Sequence, residues 1–355
     1  MNIFDINPDI SRAHTLSSKF YTDERYFHQS KEKIFARSWQ FIGTTEEIGN
    51  LKPFTILEDF LDEPILFSKD LTDNLHCLTN VCTHRGNILV ENDCLQDGIR
   101  CRYHGRRFAL DGKFLSMPEF ADVKDFPSKK DDLTKIPFGV WQKFLFASIN
   151  PSATFEIFTA EMRHRIAWFD FDKLSLVSAR GYEVKAHWAL YCENYLEGFH
   201  IPFVHQALNE TIDFGSYTTE TFRFSSLQTG ISKTDEDAFD LPEGAPDFGK
   251  NIAAYYFFMF PNLMFNFYPW GLSVNIVKPV NPEQTKVSFL TFICDETRRT
   301  KGAGADLHKV ELEDEAIVEN VQKGVKSRFY ESGRYSPKRE QGTHHFHRLI
   351  AEFMD

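Results

Sequence analysis

Cys82-Thr83-His84 and Cys101-Arg102-Tyr103-His104 place two thiols and two imidazoles in a pair of short hooks, sixteen residues apart. Such a set can hold a [2Fe–2S] cluster with unequal irons. The thiolates take one iron; neutral imidazoles take the other and raise its potential, so the centre moves one electron at a time. Cys2His2 is also the donor set of structural zinc sites. Two details oppose zinc. The order is Cys-His then Cys-His, where common zinc fingers keep a Cys pair and a His pair separate. Each His is followed by Gly or Arg-Gly (Gly105; Arg85-Gly86), as tight loops presenting exposed ligands require.

A second group of donors lies in Glu193-Asn194-Tyr195-Leu196-Glu197-Gly198-Phe199-His200-Ile201-Pro202-Phe203-Val204-His205. On a helix, at roughly 100° per residue, Glu193, Glu197 and His200 fall within about 60° of one another. Ala189 and Leu196 share that face, so it is expected to point inward, where unpaired acids and imidazoles are costly. His205 lies off the ideal face, and Pro202 can redirect the chain towards it. Two His at this spacing can clasp a metal or can be hydrogen-bonded core histidines. A facial triad of the non-haem iron type needs a carboxylate as well. The helix expected near 309–330 offers Asp314, at the centre of a stripe of Val310, Ile317, Val318, Val321 and Val325, all within about 60°. Glu313 and Glu315 are expected in solvent, Glu311 is the only competitor, and Asp314 could instead satisfy the helix dipole.

Elements must position these groups, and 355 residues suggest two domains. The 36 Phe provide for a large core and an apolar pocket. A net charge of −11 argues against nucleic acid or an anionic membrane as partner. No apolar run is long enough to span a bilayer, and Met1 to Ile10 does not resemble a signal peptide. Cys77, Cys94, Cys192 and Cys294 lack framework spacing and read as free thiols of a reducing cytoplasm. Residues 14–43 look helical then extended, with Phe20, Tyr21, Phe27, Ile34, Phe35 and Trp39 as the apolar face. From Phe54 to Asn150, short strands alternate with turn signals at Asp93, Asp97-Gly98 and Asp111-Gly112, as in a small all-β domain with the hooks on two loops. A helix is expected from Phe155 to Trp168, then mixed α and β. Helices around 187–201 and 309–330 accompany strand-like runs at Tyr255–Phe260, Leu263–Tyr268, Leu272–Val277 and Lys286–Ile293. Residues 229–251 read as a surface loop or lid, and 332–347, with His344, His345 and His347, as a solvated tail.

Together these features resemble the catalytic (alpha) subunits of Rieske non-haem iron oxygenases over nearly the whole chain. The shared motifs are Cys82-Thr83-His84-Arg85-Gly86, Cys101-Arg102-Tyr103-His104-Gly105, Asn194-x-x-Glu197-x-x-His200-x4-His205, Phe260-Pro261-Asn262-Leu263, and Glu313-Asp314 ahead of Gln322-Lys323-Gly324. The resemblance implies an α+β chain: an N-terminal helical arm (1–37), an all-β Rieske [2Fe–2S] domain (38–150), and a helix-grip-like catalytic domain with an antiparallel sheet (151–355). It implies that Cys82, His84, Cys101 and His104 bind the cluster and that His200, His205 and Asp314 bind mononuclear Fe(II). Glu197, with Asn194 beside it, would couple the two centres. O2 is the implied co-substrate, and a separate NAD(P)H-dependent reductase, directly or through a ferredoxin, the implied electron source. A homotrimer is implied in which one subunit's His104 meets the next subunit's Glu197 and His200.

Two departures stand out. The family usually has Trp after His-Gly and Pro after the second Cys, where this chain has Arg106 and Arg102, which would alter the reductase-docking surface. Glu197 replaces the Asp of ring-hydroxylating members and is similar to the carnitine, choline and betaine branch. The expected activity is therefore hydroxylation or oxidative demethylation of a small organic substrate, a quaternary ammonium compound slightly ahead of an aromatic one. Aromatic runs such as Phe265 and Phe267 are expected to line the pocket. The other readings are an aromatic ring-hydroxylating dioxygenase and a Rieske electron carrier without oxygenase activity.

Overall fold

The computed structural model describes residues 3–233, 236–305 and 307–355. The chain divides into two compact units, 36–155 and a larger one built from 1–35 with 156–355. The smaller unit contains the strands β1 (Gln40–Thr44), β2 (Leu51–Ile56), β3 (Glu63–Lys69), β4 (Leu75–Thr79), β5 (Ile99–Arg100), β6 (Arg107–Phe108), β7 (Phe114–Ser116), β8 (Phe138–Trp141) and β9 (Phe144–Ala147). They form three antiparallel three-stranded sheets, ordered β1-β9-β8, β2-β3-β4 and β5-β6-β7. One core cluster gathers Leu66, Leu78, Ile99, Phe108 and Leu133 around Cys82 and Cys101, so both thiols sit against packed hydrocarbon.

The larger unit begins with α1 (Ser18–Thr22) and α2 (Glu24–Ser30). Their first turns are capped by Ser17, which accepts from Lys19 N, and Asp23, which accepts from Arg25 N. Helix α3 (Phe155–Arg165) leads to β10 (Ser175–Val184). Strands β11 (Thr218–Thr221), β12 (Ser225–Ile231), β13 (Ile252–Met259), β14 (Leu263–Tyr268), β15 (Gly271–Asn281) and β16 (Gln284–Ile293) complete a seven-stranded antiparallel sheet, ordered β10-β16-β15-β14-β13-β12-β11. All six residues of β14 are buried, so both faces of the central sheet are covered. Phe265 and Phe267 lie on one face, in the core, where Phe267 packs on Phe169, Phe171 and Phe257. They do not line the pocket as expected. The period of two was sound, but the cavity is on the opposite face, with Asn266 and Tyr268.

The helices are α4 (Trp188–Tyr195), α5 (Ile201–Val204), α6 (Gln206–Thr211), α7 (Leu307–Val325) and α8 (Gln341–Met354). His187 caps α4 by accepting from Ala189 N. Burial pushes its pKa down to about 3, which keeps the ring neutral and leaves Nδ1 able to accept. Three polar rungs tie α4 to α7: Tyr191 Oη donates to Glu311 Oε2 (2.6 Å), Asn194 Nδ2 to Asp314 Oδ1 (2.6 Å), and the His187 amide to Gln322 Oε1 (2.9 Å). Positions 311, 314 and 322 share a helix face, which the α4 partners meet.

Several expectations fail here. Residues 187–201 are not one helix: α4 ends at Tyr195, and the chain turns through 196–200 before α5. Pro202 falls in the first turn of α5, where proline is tolerated, so it does not make the break. Gly198 permits it, since a Cβ there would meet the Tyr217 ring at 2.7 Å. The buried line of α7 is Glu311, Val318, Gln322 and Val325, while Ile317 and Val321 are exposed; Asp314 flanks this line instead of centring the stripe. Residues 341–354 are helix α8, not a solvated tail. His344 and His347 are buried, Tyr335 Oη and His347 Nδ1 are 2.5 Å apart, and Phe346 packs on Trp188, Phe258 and Phe260. Residues 229–231 belong to β12. Within the expected lid, buried Asp247 is held by Arg165, Lys250 and Tyr255.

Candidate metal centres

In the smaller unit the two hooks have the same backbone. Gly86 N donates to Cys82 O and Gly105 N to Cys101 O, each at 3.0 Å; Gly86 and Gly105 adopt φ of 70° and 76°. That left-handed conformation suits glycine, so the residue after each His or Arg is dictated by the turn. The His84 and His104 rings lie 4.8 Å apart, edge to face. Burial first, then the neighbouring His104 and the charges of Arg106 and Arg85, holds His84 below its ordinary pKa, towards the neutral form that ligates. His104 Nδ1 is buried and has no hydrogen-bond partner among the described residues. Two buried thiols, two adjacent imidazoles and an orphaned ring nitrogen fit a mixed Cys/His cluster.

Arg106 is buried, contrary to the expectation that it forms docking surface; Arg102 is exposed. The Arg106 guanidinium donates to Asp131 Oδ1 (2.6 Å) and lies 4.9 Å from the Phe114 ring centre. Thr83 Oγ1 donates to the Asp131 carbonyl (2.9 Å). Asp131 therefore links a residue of the first hook to one just beyond the second.

In the larger unit His200, His205 and Asp314 converge, each offering one atom within 4.8 Å of the others. His200 Nε2 is 3.2 Å from His205 Nε2, and Asp314 Oδ1 is 3.0 Å from His205 Nε2 and 3.5 Å from His200 Nε2. Glu311 is not part of this convergence. Each ring's other nitrogen meets a carboxylate: His200 Nδ1 meets Glu197 Oε1 and His205 Nδ1 meets Glu313 Oε2, both at 2.7 Å. Glu197 Oε2 also accepts from the amides of Phe199 and His200, fixing the turn between α4 and α5. Asn194 holds Asp314. Carboxylates behind imidazoles orient their free nitrogens and raise their basicity, as metal ligation requires. Burial pulls the His205 pKa down, but the hydrogen bonds and charges of Asp314 and Glu313 outweigh it and raise the net value.

Glu313, expected in solvent, is thus part of the site, and Glu315 is half-buried. The signal available was adjacency: a residue next to Asp314 can reach around to the same imidazole. Glu193, grouped with Glu197 and His200 by helix geometry, instead accepts from Tyr21 Oη (2.7 Å) and does not line the cavity. His347 Nε2 is 3.0 Å from Glu193 Oε1, off the line of a hydrogen bond. Replacing Glu313 with Ala is expected to weaken metal retention by His200, His205 and Asp314 about 10–100-fold. Metal content after dialysis against a graded chelator measures this.

A cavity of about 110 Å³ opens over the three donors. A polar row crosses four neighbouring strands in register, Gln228–Tyr256–Asn266–Ser273, with Asn275 on the same face. Tyr191, Tyr195 and Tyr217 add three more rings, and Tyr195 Oη donates to Asn266 Oδ1 (2.7 Å). Burial raises the pKa of these phenols, so they stay neutral.

Residues 38–127 match the Rieske [2Fe-2S] domain model, and residues 171–355 match the ring hydroxylating alpha subunit (catalytic domain) model. The chloroplastic choline monooxygenase of Arabidopsis thaliana is 29% identical over 98% of this chain and 84% of its own. The carnitine monooxygenase oxygenase subunit of Escherichia coli K12 is 28% identical over 98% of this chain and 96% of its own. The solved structure of a quaternary ammonium Rieske monooxygenase, concerned with carnitine oxidation and inter-subunit electron transfer, superposes with a TM-score of 0.79 at 24% identity, over 99% of this chain and 98% of that one.

Proposed function

Because the chain belongs to the ring-hydroxylating alpha-subunit family of Rieske non-haem iron oxygenases, we propose that it is a terminal oxygenase acting on a small quaternary ammonium compound. The observation that carries this reading is the convergence of His200, His205 and Asp314 beneath a cavity walled by tyrosines. The mixed Cys/His cluster, when bound, supplies electrons singly, and mononuclear iron lets O2 react with a C–H bond. Cys82, Cys101, His84 and His104 would hold the cluster; His200, His205 and Asp314 would hold the iron. Glu197 meets His200 Nδ1 and Glu313 meets His205 Nδ1, which would leave both Nε2 atoms facing the iron position. Asn194 restricts rotation of the Asp314 carboxylate. Phenol faces attract an ammonium ion by about 2 kcal/mol when it is desolvated. The named activities of the choline and carnitine relatives support the same substrate class.

The N-terminal arm would comprise 1–37, the cluster domain 38–150 and the catalytic domain 151–355. Electrons would come from a separate NAD(P)H-dependent reductase, and Glu197 would couple His200 to His104 of a neighbouring subunit in a homotrimer. The protein would act in the cytoplasm; no helix among the described residues is long and apolar enough to cross a membrane.

The test has two parts. Reduced protein is expected to give a Rieske-type electron paramagnetic resonance signal, and His84→Cys to lower the cluster's potential. A spectrum typical of all-cysteine ligation would sink the cluster assignment. Coupled turnover with a competent reductase should then give substrate-stimulated O2 uptake with choline, carnitine or betaines. Product from an aromatic acid, with no response to any ammonium compound, would move the chain to the aromatic branch.

A further inference from the structure

Glu311 is the carboxyl the metal site leaves over. It lines the cavity and is only 4% exposed. Its Oε2 accepts from Tyr191 Oη, while Oε1 is buried with no hydrogen-bond partner among the described residues. A half-satisfied buried acid is costly, and a neutral side chain of similar shape would avoid that cost. Burial lifts its pKa to about 8, while the Tyr191 hydrogen bond lowers it and Asp314 and Glu315 raise it further, so near neutral pH the carboxyl is largely protonated until a cation beside it favours the charged form. What Glu311 lacks is a cation. No Lys or Arg lines the cavity among the described residues, whereas Glu197, Glu311 and Asp314 all do. Arg180 and Arg299 line a different groove, which shares only Phe289 and Leu307 with this one.

A quaternary ammonium head has no N–H to donate. It therefore has no need of a hydrogen bond to Glu311, only of a nearby negative charge in a region of low dielectric. The rest of the wall is neutral: phenols and the side chains of Asn266, Ser273, Asn275 and Gln228. These suit a hydroxyl or another uncharged polar end. A carboxylate placed among them would find no Lys or Arg among the described residues and the half-partnered Glu311 nearby, an arrangement that disfavours it.

We propose that Glu311 is the specificity-determining counter-charge of this pocket, and that it selects a compact ammonium ion without a carboxylate of its own, an amino alcohol rather than an amino-acid betaine. The proposal rests on the ammonium reading above and narrows it. Glu311 acts on the head group, while His200, His205 and Asp314 remain with the metal.

Calorimetric binding to the metal-loaded protein tests this without turnover. Four probes suffice: choline, its uncharged carbon isostere 3,3-dimethylbutan-1-ol, glycine betaine and L-carnitine. Choline is expected to bind about tenfold or more tightly than the isostere, and more tightly than both carboxylate-bearing probes. Glu311→Gln keeps an acceptor for Tyr191 and removes the charge, so it should erase most of the difference between choline and the isostere while retaining both metal centres. Betaine or carnitine binding as tightly as choline to the unaltered protein would overturn the proposal and leave the ammonium reading intact. An undiminished preference for choline over the isostere in a folded, metal-loaded Glu311→Gln protein would overturn the role of Glu311. Binding of an aromatic acid, with none of the ammonium probes bound, would overturn this proposal together with the reading beneath it. The probe series on the unaltered protein decides the substrate class even where the variant fails to fold.

Discussion

Asp314→Ala is expected to lose the mononuclear iron, keep the cluster and abolish product formation. Asp314 Oδ1 lies 3.0 Å and 3.5 Å from the Nε2 atoms of His205 and His200, and among the described residues it supplies the only carboxylate oxygen in that convergence. Without it two neutral imidazoles remain, a donor set that binds ferrous iron weakly compared with two His and a carboxylate. The cluster should survive because its four residues lie in the 36–155 unit and share no ligand with Asp314. Asp314→Asn separates charge from shape: it keeps an oxygen that can accept from Asn194 but removes the negative charge, and should also lose iron. Iron analysis beside the cluster's visible absorbance reads both centres in one sample. Glu311→Ala is the control, since Glu311 is hydrogen-bonded to Tyr191 and stands apart from the three donors. Loss of iron from the Glu311 variant, with iron kept in the Asp314 variant, would reverse the assignment.

The candidate donors could be picked from the sequence because ligand chemistry permits few residue types at few spacings. The hooks needed only Cys82, His84, Cys101, His104 and the two glycines, since each is a local turn whose backbone fixes the pattern. The antiparallel strands of the large sheet were legible for a similar reason: β13 to β16 are apolar runs bounded by turns. The edge strand β11 and its neighbour β12 carry polar residues and gave no comparable signal. Facing was where local rules failed. The alternation along β14 correctly separated Phe265 and Phe267 from Asn266 and Tyr268, but which set meets the cavity depends on what covers each face of the sheet. On α7 the apolar count favoured a stripe through Ile317 and Val321. The buried line instead follows Glu311 and Gln322, because their partners Tyr191 and His187 wait on α4. A hydrogen bond to a helix 120 residues away leaves no trace in a hydrophobic pattern. Arg106 and His347 illustrate the same limit: each is a polar residue buried by a partner that sequence spacing does not announce.

Glu197→Gln is expected to retain both metals and still lose about 100-fold in turnover. Glu197 Oε1 is 2.7 Å from His200 Nδ1, and Oε2 accepts from the Phe199 and His200 amides. Gln offers one oxygen where Glu offers two, so it can keep the imidazole or the turn but not both, and it carries no charge. The turn is also held by Gly198 packed against Tyr217 and by the α5 backbone, so His200 should stay close enough to His205 and Asp314 to hold iron. What is lost is the charge that makes His200 a better donor and, in the proposed trimer, the hydrogen-bonded route from His104 of the neighbouring subunit. The two effects separate in a rapid-mixing experiment. Reduced protein with substrate bound is mixed with O2, and oxidation of the cluster is followed by its absorbance. A coupling role requires slow cluster oxidation despite full iron occupancy and unchanged substrate affinity. Oxidation at the unaltered rate would refute that role, and loss of iron would make Glu197 a structural support of His200 instead.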